Sequence, residues 1–154
     1  MKKIILTILL LGSVLTLAAQ QRTEQTAREE AMHFLREEGY LPKLDEDGGV
    51  VFKIQGASYY IELEGQSDGS IFMNVGTRYG TDQSYEKILE GCNAMNALKR
   101  VVKFVAQKEE DGSVAYQITY ESFCNPTDDF TQLLSDAIAL LPACVSEFIS
   151  EYEN

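Results

Sequence analysis

Apolar residues near the start of the chain recur with the period of a helix. They fall at i, i+4, i+7 and i+8, in one stripe: Ala27, Ala31, Phe34 and Leu35. Thr26 and Glu29 have capping-box spacing, which predicts that this helix starts at Thr26. Gly39 can adopt the left-handed conformation that ends helices, and Pro42 then prevents the helix from resuming.

Three runs of strict period-two alternation follow this helix. They cover residues 50–55, 58–64 and 71–75, and in each run alternate positions are apolar. This pattern is typical of half-buried antiparallel strands with one face on a core. The short segments between the runs are rich in Gly, so we expect a meander of three strands. Gly76–Gly80 is interpreted as a loop that leads to the next helix.

A second helix and a hairpin complete the middle of the chain. The helix is predicted from about Ser84 to Arg100, with the Ser84 hydroxyl as its N-cap. Residues 101–107 and 114–121 alternate as strands, and Asp111-Gly112 between them is a favoured turn pair because it tolerates positive φ. The matching apolar positions of the two strands are Val102, Phe104 and Ala106 on one and Val114, Tyr116, Ile118 and Tyr120 on the other.

The last predicted element is a long helix. Pro126 is interpreted as its first helical residue, where a missing N–H costs no hydrogen bond. Pro142 lies inside the apolar stretch that follows and is expected to kink or break it. The predicted order is α-β-β-β-α-β-β-α. It describes an α+β, two-layer domain with helices on one face of a five-stranded, mainly antiparallel sheet.

Residues 1–19 have the pattern of a secretory signal peptide. A basic start is followed by an apolar run, shorter than the roughly 20 residues of a membrane span, and then by small residues. We expect cleavage after Ala19, with Ala18 as the alternative, and one domain over residues 20–154. An uncleaved membrane anchor is the other interpretation. No Cys stands directly after the apolar run, which argues against a lipoprotein. We predict a soluble periplasmic or extracellular protein.

The net charge of the chain argues against two classes of binding partner. The chain has 13 Lys and Arg against 24 Asp and Glu, a net charge of −11. Removing Lys2 and Lys3 with the leader leaves 11 − 24 = −13. Such acidity argues against binding to nucleic acid or to anionic membrane surfaces, because both require clustered Lys and Arg. No integral membrane segment is predicted after leader cleavage.

The sequence has few candidates for catalysis or metal binding. Cys92, Cys124 and Cys144 are an odd number, and three buried thiols are favoured over one disulfide, for which Cys92 with Cys144 is the feasible pair. His33 has no second histidine with which to form a metal site. The acidic segment Asp45–Asp47 is interpreted as a turn, because no bidentate Glu follows at the spacing of a calcium loop. We therefore predict no catalytic residue, no cofactor and no metal.

The second face of the predicted sheet is the candidate partner surface, because no predicted helix remains to cover it. It carries a mixed patch of the kind that marks interaction surfaces, although scattered exposed apolar residues are also common. The apolar candidates are Val51, Tyr60, Phe72 and Val105, together with Val101. The polar positions are Lys53, Glu62, Glu64, Asn74, Lys103, Gln117 and Thr119. Glu62 and Glu64, roughly 7 Å apart on one strand face, are the alternative site for two-carboxylate chemistry.

Two segments resemble the YbjN-like family. Residues 39–64, GYLPKLDEDGGVVFKIQGASYYIELE, have the helix-ending Gly, the Pro and the Phe-Lys strand before a Gly turn. Residues 91–105, GCNAMNALKRVVKFV, have the Asn-x-x-Asn pair, Asn93 and Asn96. The resemblance implies a fold similar to that of type III secretion chaperones, small acidic proteins that commonly dimerise and hold extended partner segments. It supplies no catalytic residues, and capping of the helix-to-strand junction is the favoured role of the two Asn residues.

The sequence therefore predicts an exported, non-enzymatic module that binds protein or peptide, including itself as a homodimer. Since secretion chaperones act on cytosolic clients, we expect only their architecture to apply to an exported chain. The alternatives are a small-molecule-binding protein or hydrolase-like enzyme with a pocket near Glu62 and Glu64, and a structural accessory of an envelope assembly.

Overall fold

A computed structural model of the chain describes residues 22–153, so the predicted leader and its cleavage site lie outside the described residues. The elements are α1 Glu24–Glu37, β1 Lys43–Leu44, β2 Val50–Ile54, β3 Ala57–Gly65, β4 Ile71–Thr81, α2 Tyr85–Leu98, β5 Val102–Lys108, β6 Val114–Cys124 and α3 Phe130–Phe148, followed by a π-helical turn, Ile149–Glu153. The strands form one antiparallel sheet in the order β1-β2-β3-β4-β6-β5.

The predicted α+β architecture is confirmed, with six strands instead of five. The additional strand is β1, whose two residues are both exposed and therefore give no alternating pattern. It forms because the acidic segment is a tight turn that returns the chain onto β2. Asp45 N–H donates to Gly49 O at 3.0 Å, and Asp45 Oδ1 accepts from Gly49 N–H at 2.7 Å.

One face of the sheet packs against the helices and forms the core. Its inward side chains are the apolar members of the alternating runs, as predicted, and α3 contributes the ring of Phe148. That ring is fully buried, with its centroid 4.7 Å from Tyr116, 5.6 Å from Phe104 and 5.2 Å from Tyr152. The helices α1, α2 and α3 therefore close this face as one apolar layer.

The interpretation of Gly76–Gly80 as a loop was wrong, because β4 continues to Thr81. β6 pairs with β4 along the full length, from Cys124 opposite Ile71 to Val114 opposite Thr81. Gly76 and Gly80 leave two outward positions of β4 without a side chain, which hides the alternating pattern. The inward side chains of the same strand continue with Val75, Thr77 and Tyr79. Thr77 is buried, and its hydroxyl donates to Ser58 O at 2.7 Å.

Helix α1 begins one turn earlier than predicted. Thr23 is its N-cap and forms the capping box with Thr26, which therefore lies inside the helix. Thr26 N–H donates to Thr23 Oγ1 at 3.2 Å, and Thr23 N–H donates to Thr26 Oγ1 at 2.8 Å. The predicted end is confirmed, since Gly39 has a φ of +86° just after the helix. Ser84 is confirmed as the N-cap of α2, where its hydroxyl accepts from Lys87 N–H at 3.2 Å.

Helix α3 begins after Asp129, so Pro126 is not its first residue. Asp129 is the N-cap and accepts from Gln132 N–H at 3.1 Å, while Pro126 lies in the preceding turn, which Asp128 holds by accepting from Asn125 N–H at 2.8 Å. The helix continues through Pro142 to Phe148 because the buried residues on both sides of the proline remain packed in the core.

By length and composition alone, the helical stretch Phe130–Glu153 could cross a membrane. In the structure its apolar face, with Leu134, Leu141 and Phe148, is buried in the core. Core helices of soluble proteins pass the same test, so this is weak evidence for a span. The absence of a membrane segment after the leader stays a prediction.

Candidate protein-interaction surface

The face of the sheet opposite the helices, called here the open face, carries no helix in residues 22–153. Strand register arranges its side chains in rows that cross the sheet. One row is Glu64, Phe72 and Phe123; the next is Glu62, Asn74 and Glu121. The following rows are Val51, Tyr60, Gly76, Thr119 and Lys103, and then Arg78, Gln117 and Val105.

Two phenylalanines at one end of the open face form what we call the aromatic pair, Phe72 and Phe123. Their ring centroids are 5.2 Å apart, and Phe123 is 58% exposed. Val101, 53% exposed, directly precedes β5, whose first residue, Val102, is opposite Tyr120 on β6, so this exposed apolar side chain lies toward the same end of the sheet. Large apolar side chains that remain this exposed on a sheet face have an area still available for burial by a partner.

Phe123 was missed by the sequence interpretation, which ended the strand at residue 121. The strand continues to Cys124, so Phe123 follows Gln117, Thr119 and Glu121 on the outward side. The signal was present as two more steps of the same alternation. The predicted strand stopped at residue 121, two residues short of Phe123.

Tyr60 lies flat across the sheet. A Cβ at Gly76 would be 2.5 Å from Tyr60 Oη, so the absent side chain of the glycine makes room for the ring. The hydroxyl accepts a hydrogen bond from Gln117 on β6. Burial raises the pKa of Tyr60, and the Gln117 hydrogen bond opposes part of that rise. Tyr60 is thus a half-buried part of the surface floor.

The four predicted surface residues all lie on the open face, but they do not form one patch. Val51 is half-buried beside the β1 edge, while Val105 is half-buried on β5, at the opposite edge. Tyr60 lies between them, and Phe72 is part of the aromatic pair at one end. The structure therefore concentrates the exposed apolar area around Phe72 and Phe123.

Carboxylates surround the aromatic pair. Glu64 lies directly beside Phe72 in register, and Glu62 accepts from Asn74 Nδ2 at 2.8 Å. Glu121 accepts from Lys103 Nζ at 3.2 Å. Glu62 and Glu64 are exposed, and neither lines any of the four grooves described along residues 22–153. The two carboxylates proposed for the alternative chemistry therefore lie on the solvent-exposed sheet face, outside these four grooves.

The three thiols are buried and unbridged in the structure. Burial raises the pKa of Cys92 to about 11 and raises the pKa of Cys124 and Cys144 as well. Since the thiolate is the nucleophilic form, this environment disfavours thiol chemistry. His33 is exposed, 3.4 Å from Glu37, and the described residues contain no group of three or more side chains suited to a metal.

Asn96 joins α2 to the outer edge of β5. Its Nδ2 donates to Phe104 O at 2.9 Å, and its Oδ1 accepts from Phe104 N–H at 2.9 Å. The amide therefore satisfies both main-chain groups of Phe104, as a neighbouring strand would. This contact agrees with a role for Asn96 at the helix-to-strand junction, whereas the Asn93 side chain forms no hydrogen bond within residues 22–153.

Comparison with known proteins agrees with this architecture. The profile of the YbjN family, described as "Putative bacterial sensory transduction regulator", matches residues 28–129. The crystal structure of YbjN from E. coli is similar with a TM-score of 0.59 and 13% identity, over 83% of this chain and 89% of that chain. An uncharacterized protein from Methanothermobacter thermautotrophicus gives a TM-score of 0.52 and 18% identity, over 82% of this chain and 99% of that chain.

A weaker similarity is to the Yersinia pestis type III secretion chaperone SycH, crystallised with a stable fragment of YscM2. Its TM-score is 0.44 and its identity 16%, over 83% of this chain and 98% of that chain. No curated protein matches the sequence significantly. The profile match covers most of the chain, including every strand of the sheet and α2, and it confirms the resemblance of residues 39–64 and 91–105. The chain belongs to the YbjN family.

Proposed function

We propose that this protein is an exported, non-enzymatic module that binds a protein or peptide partner at its open face. The observation that carries the proposal is the aromatic pair, in which Phe123 is 58% exposed beside Phe72. Burying an aromatic side chain contributes about 1.5–3 kcal/mol, and such anchors dominate the energetics of protein interfaces.

The surroundings of the pair indicate the chemistry of the partner. Glu62, Glu64 and Glu121 lie in the same two rows of the sheet, in a chain whose net charge is −11. Complementary charge steers association and suppresses wrong partners. We therefore expect a segment with an apolar or aromatic residue that enters beside Phe123 and with Lys or Arg next to it.

Binding is preferred over catalysis because the carboxylates considered for catalysis are exposed and line no described groove. A homodimer is one form of the proposal, in which the open face of a second copy is the partner. Export is part of the proposal and is supported by the leader pattern of residues 1–19.

Site-specific photo-crosslinking in the native host tests the binding site. The full chain is expressed with p-benzoylphenylalanine in place of Phe123 and, as a control, in place of Leu98, which is 72% exposed at the end of α2. We expect a discrete adduct from position 123 that position 98 does not give, and that Phe72→Asp abolishes. Mass spectrometry of the adduct distinguishes another protein from a second copy of this chain.

Equal adducts at both positions, or none at position 123, would contradict the proposed binding site. Export is tested separately by the intact mass of the protein recovered outside the cytoplasm. We expect a mature chain that begins at Gln20, or at Ala19 if cleavage follows Ala18. A full-length protein confined to the cytoplasm would contradict export and would leave the binding result to stand on its own.

A further inference from the structure

A groove lies at the β1 edge of the open face, far from the aromatic pair. It has a volume of about 420 Å³ and lies between the segment after α1 and the strands β2 and β3. Its lining is Gly39, Tyr40, Leu41, Lys43, Val51, Phe52, Lys53 and Ser58. Ser58, which is opposite Lys53, and Glu64, which is opposite Phe72, are six residues apart on β3. At strand rise this separates the groove from the aromatic pair by about 20 Å.

The groove exists because β1 is too short to cover β2. Lys43 pairs with Val51, so Leu41 would be opposite Lys53 if the strand continued. Pro42 intervenes, the strand begins only at Lys43, and Leu41 is 86% exposed at the rim. A proline cannot donate to a strand ladder, which accounts for the early divergence of the chain.

Part of the β2 edge is consequently left without a backbone partner. Asp45 N–H donates to Gly49 O, just before β2. Because main-chain groups alternate in direction along a strand, those of Val51 and Lys53 on β2 also point toward β1. Val51 uses them with Lys43, but Lys53 has no backbone partner on that side among residues 22–153. An edge with a free N–H and C=O is a template for an added strand.

The charges of the groove are also unbalanced. Elsewhere on the open face Lys103 is paired with Glu121, and Arg78 is paired with Glu109. Lys43 and Lys53 are diagonal neighbours on adjacent strands, and no carboxylate in residues 22–153 lies within ion-pair distance of either one. Two like charges at this spacing repel each other, and a carboxylate placed between them would relieve that repulsion.

From these observations we infer a second binding site, which takes an acidic peptide in extended conformation. The peptide adds to the edge of β2 at Lys53, places a carboxylate between Lys43 and Lys53, and covers Leu41 and Val51 with an adjacent apolar side chain. A fatty acid would offer the carboxylate and the apolar part, but it cannot satisfy both the N–H and the C=O of Lys53. Because the site is separate from the aromatic pair, it stands or falls independently of the proposed function.

Fluorescence polarisation with short labelled peptides tests the site on the purified mature chain. The probe is an alternating Leu-Asp peptide of roughly eight residues, about 26 Å when extended. The comparison peptides are an alternating Leu-Lys peptide and a Leu-Asp peptide N-methylated on alternate backbone amides. We expect saturable binding of the Leu-Asp peptide that weakens with added salt, no binding of the Leu-Lys peptide, and at least tenfold weaker binding of the N-methylated peptide.

Charge reversal locates the site. The double variant Lys43→Glu/Lys53→Glu should lose at least tenfold in affinity, whereas the matched control Arg100→Glu/Lys108→Glu, also exposed but near the β5 edge, should bind as the wild type does. Circular dichroism confirms that each variant is folded. Phe123→Asp should leave this binding unchanged, which separates failure of this site from failure of the proposed function.

Three outcomes would overturn the inference. One is equal affinity of the Lys43→Glu/Lys53→Glu variant and its control. Another is undiminished binding of the N-methylated peptide, which would show that the peptide binds through its carboxylates and does not add as a strand to β2. The third is binding of decanoate without any binding of the Leu-Asp peptide, which would assign the groove to a lipid-like acid.

Discussion

The two faces of the sheet use the same strands and differ in what each strand places on them. On the covered face, apolar residues such as Met73, Ile118 and Val75 are fully buried beneath the helices. On the open face, Tyr60 folds over Gly76, while Phe123 remains 58% exposed. Stability comes mainly from the covered face. The exposed aromatic residue is therefore better explained by binding than by folding, and substitutions on the two faces should separate these two roles.

The largest effect is expected from Phe148→Ala on the covered side. The ring is fully buried against Phe104, Tyr116 and Tyr152, and its loss should lower the free energy of unfolding by about 3–5 kcal/mol. Urea unfolding followed by circular dichroism measures this change. The control is Leu140→Ala on the same helix, where the side chain is 41% exposed and a loss below about 1 kcal/mol is expected. Similar losses for the two variants would contradict the assignment of the core.

Asn96→Ala should have the next largest effect, because it breaks the junction between α2 and β5. It removes both hydrogen bonds to Phe104 and leaves the main-chain N–H and C=O without protein partners, a cost of about 1–3 kcal/mol. The other Asn of the family motif supplies the control. Asn93 is exposed on the same helix, and Asn93→Ala should change stability by less than about 0.5 kcal/mol. If the two variants were equally stable in urea, the two hydrogen bonds between Asn96 and Phe104 would make no measurable contribution to stability.

Most of the covered face could be predicted from the sequence, whereas the open face could be predicted only in part. Burial imposes a period on inward residues, so Val102, Phe104 and their partners on β6 were identified correctly. No such constraint acts on outward residues. The glycines at 76 and 80 therefore concealed the second half of β4, and the predicted equivalent of β6 ended at residue 121, two residues before Phe123.

Helix starts show the same limit of local reasoning. The capping box was predicted at Thr26 because Glu29 follows at the right spacing. In the structure the box lies one turn earlier, where the hydroxyl oxygens of Thr23 and Thr26 each accept from the other residue's backbone N–H. Pro126 suits a first helical residue equally well, yet Asp129 caps the helix. Each alternative is locally sound. Only packing of the helices on the sheet decides which one forms, because the register of an apolar stripe against a core depends on distant residues.

Gly76→Ala tests the packing of the open face itself and should lower the free energy of unfolding by about 1–2 kcal/mol. The new methyl group would be 2.5 Å from Tyr60 Oη and 2.9 Å from Thr119 Cγ2, so the Tyr60 ring must lift away from Gln117. Gly80→Ala is the matched control on the same strand and face, because no atom lies within 4 Å of its added Cβ. In a Tyr60→Ala background the Gly76→Ala penalty should shrink, as measured by a double-mutant cycle in urea. An unchanged penalty would show that Tyr60 is not the obstacle.

The smallest effect on folding is expected from Phe123→Asp, although it should have the largest effect on binding. The side chain is 58% exposed and contacts only the neighbouring Phe72 ring among aromatic residues of the described chain, so the free energy of unfolding should change by less than about 1 kcal/mol. The added carboxylate joins Glu62, Glu64 and Glu121 and removes the apolar anchor, so partner adducts formed from a photo-crosslinker at Val101 should disappear. A loss of stability comparable to that of Phe148→Ala would make Phe123 a folding residue. Retained adducts in a folded variant would show that the partner does not use the aromatic pair. Stability kept while adducts disappear is the combination expected of a sheet whose covered face folds the chain and whose open face binds.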